Sequence, residues 1–276
     1  MDYKSLISDK LKGNTDIYLV GVFNDKKLSH LNKSISNATL KLAEKCFDNN
    51  NFTGDIGDNR TFDDIENKFQ IIFFGLGAKD KYGPINLNRS INLIINKIKK
   101  TNTKSISLNI DNIISKKLAI SLEHIVSSIE NGLYKYSYKN EKVAVKIKKC
   151  SFVSKNFIPS KIFNSLTLTG KAISNGIKLA KDLGNTPPNI CTPTYLSDEA
   201  RKLKKINKLI KITVLDEAKM KSLGMGSLLS VSQGSKQPAK LVSIEYMPLK
   251  NKAPIVLVGK GITFDTGGIS LKPSPN

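Results

Sequence analysis

The chain has 276 residues, a formal charge of +21, three cysteines and two histidines. At roughly 150 residues per domain, that length suggests about two domains, and 39% apolar residues suit a globular chain with a sizeable core. No run approaches the roughly 18 apolar residues of a membrane span, residues 1–14 lack the apolar stretch of a secretory signal, and two histidines exclude a His-rich zinc site. Cys46, Cys150 and Cys191 are odd in number and far apart, as reduced thiols of a cytoplasmic protein would be.

Forty-four Lys+Arg against 23 Asp+Glu invite a nucleic-acid reading. The composition of the excess argues against it. Arg60, Arg89 and Arg201 are the three arginines beside 41 lysines, and arginine is the side chain that forks onto phosphate and guanine. The lysines are scattered, and 26 asparagines accompany them, a bias that codon drift in an AT-rich genome produces. A solvated basic surface is the favoured reading. A nucleic-acid-binding or regulatory module is the alternative.

Ile17–Phe23 reads as a buried strand, short, continuous and rich in β-branched and aromatic residues. Residues 28–46 read as a helix and 49–64, rich in Asn, Asp and Gly, as a loop. A second buried strand covers 69–76 and ends in Gly75-Leu76-Gly77. A helix over 86–100, a strand over 105–110, a helix over 118–134 and a strand over 142–147 follow. This alternation predicts an α/β fold with a mainly parallel sheet between helices. Residues 148–165 are polar and irregular, which places a domain boundary near 160 and makes the domains 1–160 and 161–276. Beyond it, 168–183 reads as a helix stopped at Pro187-Pro188. A helix over 194–206, a strand over 210–215, a short helix over 217–223, a turn at Gly224-Met225-Gly226 and strands over 241–246 and 255–258 complete the chain.

The chemistry concentrates after the last strand, in Gly259-Lys260-Gly261-Ile262-Thr263-Phe264-Asp265-Thr266-Gly267-Gly268. Lys260 stands at the carboxyl end of that strand, where open α/β sheets build their sites, with Asp265 five residues on and Lys272 twelve residues on. A phosphate loop fails here: Lys260 is followed by Gly261 rather than Ser or Thr, and Pro254 stands where the first glycine belongs. Gly75-Leu76-Gly77 fails as a dinucleotide fingerprint because Asp80 takes the third glycine position. His124 and His30 read as polar-face or packed histidines rather than ligands.

This run, with Asp182-Leu183-Gly184-Asn185-Thr186-Pro187-Pro188-Asn189, Leu223-Gly224-Met225-Gly226-Ser227 and Phe73-Phe74-Gly75-Leu76-Gly77-Ala78-Lys79-Asp80, resembles the leucyl (cytosol) aminopeptidase family. The resemblance is strong from about residue 166 onward. It implies a smaller, macro-like N-terminal α/β domain, a C-terminal α/β catalytic domain with a mixed, mainly parallel sheet, hexamers, and a two-metal exopeptidase that releases N-terminal residues, often leucine, from peptides with a free N-terminus. By motif position it implies Lys260 and Asp265 as ligands of two divalent ions, Mn²⁺ or Zn²⁺, and Lys272 as the catalytic cation that polarises the substrate carbonyl. Lys260 ligates only as a neutral amine, so burial and a dication must lower its pKa. The metals lower the pKa of a bridging water and orient the peptide. The family's remaining carboxylate ligands and a catalytic arginine fall beyond Asn276, so the resemblance implies an incomplete catalytic domain, inactive alone. Gly184 stands where the family usually has a larger residue, which bears on helix packing there.

Overall fold

The structure is a computed structural model that describes residues 1–7, 15–26, 28, 35–115, 120–137, 145–249 and 251–263. The chain divides into two compact units, 1–180 and 181–276.

In the first unit a six-stranded sheet runs in the order β1-β6-β5-β2-β4-β3, formed by β1 (Asp2–Ile7), β2 (Ile17–Phe23), β3 (Asn59–Asp64), β4 (Phe69–Gly77), β5 (Ser105–Asn109) and β6 (Lys149–Ser154). All neighbours are parallel except the β3–β4 hairpin. Every residue of β2 is buried, because helices cover both faces. Alternate side chains divide between two cores. Tyr18, Val20 and Val22, with Ile71 and Phe73, pack under α1 (Asn37–Asp48) and Phe52. Ile17, Leu19 and Phe23, with Ile72, Phe74, Ile106, Leu108 and Phe152, pack against α2 (Pro84–Ile98), α3 (Leu122–Leu133) and Phe163 of α4 (Ser160–Asn185). Two-sided burial is why these strands read as continuous apolar runs rather than alternating ones.

Five expectations change. The helix expected over 168–183 begins at Ser160, within the segment expected to be irregular. The helix expected over 28–46 begins at Asn37, since Ser36 caps it by accepting from the Thr39 N–H, and the buried Asp64 carboxylate takes the Ser36 N–H at 2.8 Å; residues 29–34 lie outside the described residues. Residues 59–64, expected in a loop, form β3: a polar edge strand assembled by its ladder to β4, not by its own propensity. The strand expected over 142–147 is displaced to β6, inside the segment expected to be irregular; 142–144 lie outside the described residues and 145–148 form no strand. β6 is defined by ladders to both β5 and β1, and β1 itself carried no local signal. Tyr3 anchors β1 by stacking on Phe152 at 5.5 Å and donating to Glu130 Oε1 at 3.0 Å. The helix expected from 118 starts at Leu122 among the described residues, capped by Ser121; 118 and 119 lie outside them.

In the second unit α5 (Pro193–Lys202) starts on Thr192, which accepts from the Tyr195 N–H. It ends in a 3-10 turn, Leu203–Lys205, which divides the longer helix expected there. β7 (Ile210–Leu215) pairs antiparallel with β8 (Leu241–Tyr246) in a two-stranded sheet. Between them lie α6 (Glu217–Ser222) and α7 (Gly226–Ser232), the latter in a stretch without a predicted element. The strand expected over 255–258 is absent: Ile255, Val256, Leu257 and Val258 are 92%, 73%, 92% and 95% exposed and join no ladder among the described residues. An apolar strand of this kind needs a neighbour at its edge and layers on its faces, and no described residue supplies them.

Two measurements follow. A Cβ on Gly75 would lie 1.8 Å from the Asp55 carbonyl oxygen, whereas one on Gly176 in α4 meets nothing within 4 Å. Gly75→Ala should lower unfolding free energy by about 3 kcal/mol or more, and Gly176→Ala should raise it by about 0.5–1 kcal/mol, read as urea midpoints by circular dichroism. The second concerns thiols. Burial, then the Glu130 carboxylate, pushes the Cys150 thiol up; burial, then Glu199, raises Cys191. Both shifts disfavour the reactive thiolate, so iodoacetamide at neutral pH should label half-buried Cys46 first and Cys150 last in mass-spectrometric time courses.

Candidate functional site

Adjacent strands whose following helices cover opposite faces leave a crevice at their carboxyl ends where α/β folds bind ligands. β2, followed by α1 on one face, has two such neighbours, β5 and β4, followed by α3 and α2 on the other, and one such crevice lies between β2 and β4. The chain's own backbone fills it. Gly54 (φ +78°) brings its Cα against the Phe23 carbonyl, and its carbonyl accepts from the Gly77 N–H at 2.9 Å. The Gly75 N–H donates to Asp58 O at 2.9 Å. Asp58 fixes the loop by accepting from the Thr53 N–H at 2.7 Å and from Arg60 at 3.0 Å. Asn24 donates to Asp55 at 2.8 Å. The glycines that failed as a dinucleotide fingerprint therefore serve close chain packing, where a Cβ would collide with backbone.

In the second unit, the residues ahead of the chemical run are held locally. Thr186 Oγ1 donates to Asp182 O at 2.6 Å, and the Ile190 and Cys191 N–H groups both donate to Pro187 O, which closes the double-proline turn. Gly184 faces open space, with nothing within 4 Å of a built Cβ, so its small size relieves no local crowding. Gly224 adopts φ +73° and ends α6. Glu217 Oε1 accepts from the Ala239 N–H at 2.8 Å, tying α6 to the approach to β8.

Of the three predicted site residues, Lys260 stands on an exposed, non-helical stretch. Asp265 and Lys272 lie outside the described residues. Among the described residues no group of three or more His, Cys, Asp or Glu could hold a metal ion. His30 also lies outside them. His124 is placed: it completes a capping box with Ser121 at the start of α3. Its Nδ1 accepts from the Ser121 N–H at 3.3 Å. The Ser-x-x-His spacing was the sequence signal for that role, read with histidine in place of the usual Glu or Gln. No helix among the described residues is long and apolar enough to cross a membrane.

Comparison with known proteins gives a consistent result in two successive regions. Residues 19–142 match the N-terminal domain of the cytosol aminopeptidase family, and residues 178–276 match that family's catalytic domain. A probable cytosol aminopeptidase of Nitrosococcus oceani is 36% identical over 271 residues, covering 95% of this chain and 54% of the relative. The chain thus spans about half the length of the relatives it matches. Among solved structures, a tomato leucine aminopeptidase variant superposes with a TM-score of 0.80 at 19% identity, over 97% of this chain and 55% of that one. A bottromycin maturation enzyme in complex with Mn superposes with a TM-score of 0.61 at 16% identity, over 83% and 45%. The α/β fold with a mainly parallel sheet is therefore shared, and the ordered match of both domains establishes that the chain belongs to the cytosol aminopeptidase family.

Proposed function

We propose that this polypeptide is the N-terminal part of a cytoplasmic metallo-aminopeptidase that hydrolyses the first peptide bond of peptides with a free N-terminus, leucine among the released residues, and works as a homo-hexamer. The observation that carries the reading is the match of both family domains in order along one chain. Lys260 and Asp265 are the metal donors in this reading and Lys272 the catalytic cation. Bound Mn²⁺ or Zn²⁺ ions would supply a water nucleophile at neutral pH.

One amine and one carboxylate do not make a two-metal site. Each dication takes about four to six donors, and among the described residues no cluster supplies the rest. What this chain contributes in the reading is charge and position. Lys272 provides a fixed positive charge for the developing oxyanion, an electrostatic role of the kind that yields large rate effects. Lys260 is exposed here, and ligation through its amine would need it brought against the dication. The Mn-bound relative at matching fold supports metal chemistry of this class.

Residues 1–276 alone should release no p-nitroaniline from Leu-p-nitroanilide with Mn²⁺ present. Robust turnover would show that Lys260 and Asp265 are not the limiting donor set. In the chain extended by the remaining half of the Nitrosococcus relative, activity should appear. There Lys260→Ala and Asp265→Asn should lower bound metal by mass spectrometry. Lys272→Ala should leave metal content intact and lower kcat by about a hundredfold or more.

The nucleic-acid alternative gains nothing from the structure. Arg60 is bound to Asp58 and Arg201 to Asp198, so two of the three arginines are already engaged.

A further inference from the structure

The sheet of the first unit has an open edge at β1. This strand is outermost on its side of the sheet. Among the described residues it pairs with β6 alone, in parallel and in unbroken register from Asp2 to Ile7. The Asp2 N–H donates to Lys148 O at 2.9 Å, which sets the phase of the ladder. A strand residue points its N–H and C=O to one side and the next residue points them to the other. Asp2, Lys4 and Leu6 therefore bond to β6, and Tyr3, Ser5 and Ile7 turn their backbone groups outward, where they have no partner among the described residues. Ile7 is 38% exposed. Edges are commonly blunted by a bulge or a proline, and β1 has neither. Tyr3 holds the strand in place through its stack on Phe152 and its bond to Glu130.

The uncompensated charge at this edge is positive. Asp2 stands opposite Lys149 across the ladder, a favourable cross-strand pair. Glu130 is taken by the Tyr3 hydroxyl and the Met1 amine. Lys4 is exposed, and Lys171 holds its amine 5.2 Å from the centre of the Tyr3 ring. Neither lysine has a carboxylate partner among the described residues. The two faces of β1 differ accordingly: Tyr3 and Ile7 offer apolar surface on one, and Lys4 stands on the other. A second copy of a chain of charge +21 is repelled from such an edge, whereas an acidic segment is drawn to it. We propose that β1 is a docking edge for an extended acidic peptide segment, added antiparallel to the six strands' open side, with apolar side chains opposite Tyr3 and Ile7 and a carboxylate opposite Lys4. The proposal is independent of the aminopeptidase reading, because none of these residues belongs to the Lys260 run.

The probe is a fluorophore-labelled peptide of alternating valine and glutamate, titrated into the 276-residue chain and read by anisotropy. It should bind saturably with a Kd on the order of 10–100 μM. Valines opposite Tyr3, Ser5 and Ile7 turn their amides toward β1, so N-methylation of the valine amides should abolish binding, and N-methylation of the glutamate amides should change it by less than about threefold. Ser5→Pro removes one outward N–H and no bond to β6, which an edge strand tolerates, and should weaken the peptide by about tenfold or more. Lys4→Glu, at an exposed side chain, sets like charges opposite each other and should also weaken it by about tenfold or more, whereas Lys4→Arg should not. Urea midpoints by circular dichroism identify the variants that remain folded. Absence of saturable binding up to about 1 mM, equal loss from the two methylated peptides, indifference to Lys4→Glu, or equal affinity for an oligoglutamate or a single-stranded DNA of the same charge would each overturn the proposal.

Discussion

The two-sided burial of β2 is the constraint on which the first unit depends. All seven residues of this strand are buried, and its neighbours β4 and β5 are parallel to it. A parallel pair cannot be closed by a tight turn; it requires a crossover, and the crossover supplies the helix that buries a face. Once Ile17, Leu19 and Phe23 point one way and Tyr18, Val20 and Val22 the other, helices must exist on both sides. α2 and α3 are amphipathic for that reason, and α1 covers the opposite face with Ala43 and Phe47. Even the polar exceptions obey the rule. The buried Asn109 amide donates to the Tyr18 hydroxyl at 3.0 Å, so two polar groups drawn into the sheet satisfy each other.

The same geometry explains where this unit does and does not offer a site. The crevice between β2 and β4 is closed, because residues 54–58 are bonded into it through the Gly75 and Gly77 backbone. The close approach at Gly75 leaves no room for a side chain, so the loop is an integral part of the strand ends. The second unit presents the opposite situation. Its two-stranded sheet and short helices leave Ile244, Tyr246, Leu249 and the apolar run after Pro254 largely exposed, and the residues singled out for chemistry follow that run.

Much of the fold was legible from local pattern. β2, β7 and β8 fall where the apolar runs predict them, and the parallel sheet follows from strand–helix alternation. The motif segments identified the family, which the two domain matches establish. What local pattern missed has a common cause. β1 and β3 are edge strands with polar alternation, and β6 contains Lys149 and Ser151; each exists because another strand lies beside it. The start of α1 was misplaced because Asp64, 28 residues away, holds the capping segment.

The sequence by itself determined the α/β class, the ordered pair of family domains and the residue types at positions 260, 265 and 272, because these are properties of short contiguous stretches. Tertiary structure decided which polar segments become strands and that the glycines of β4 admit a backbone rather than a nucleotide. Those outcomes depend on distant groups meeting across loops, and a hydrogen bond or a steric limit between residues tens of positions apart leaves no mark on local periodicity.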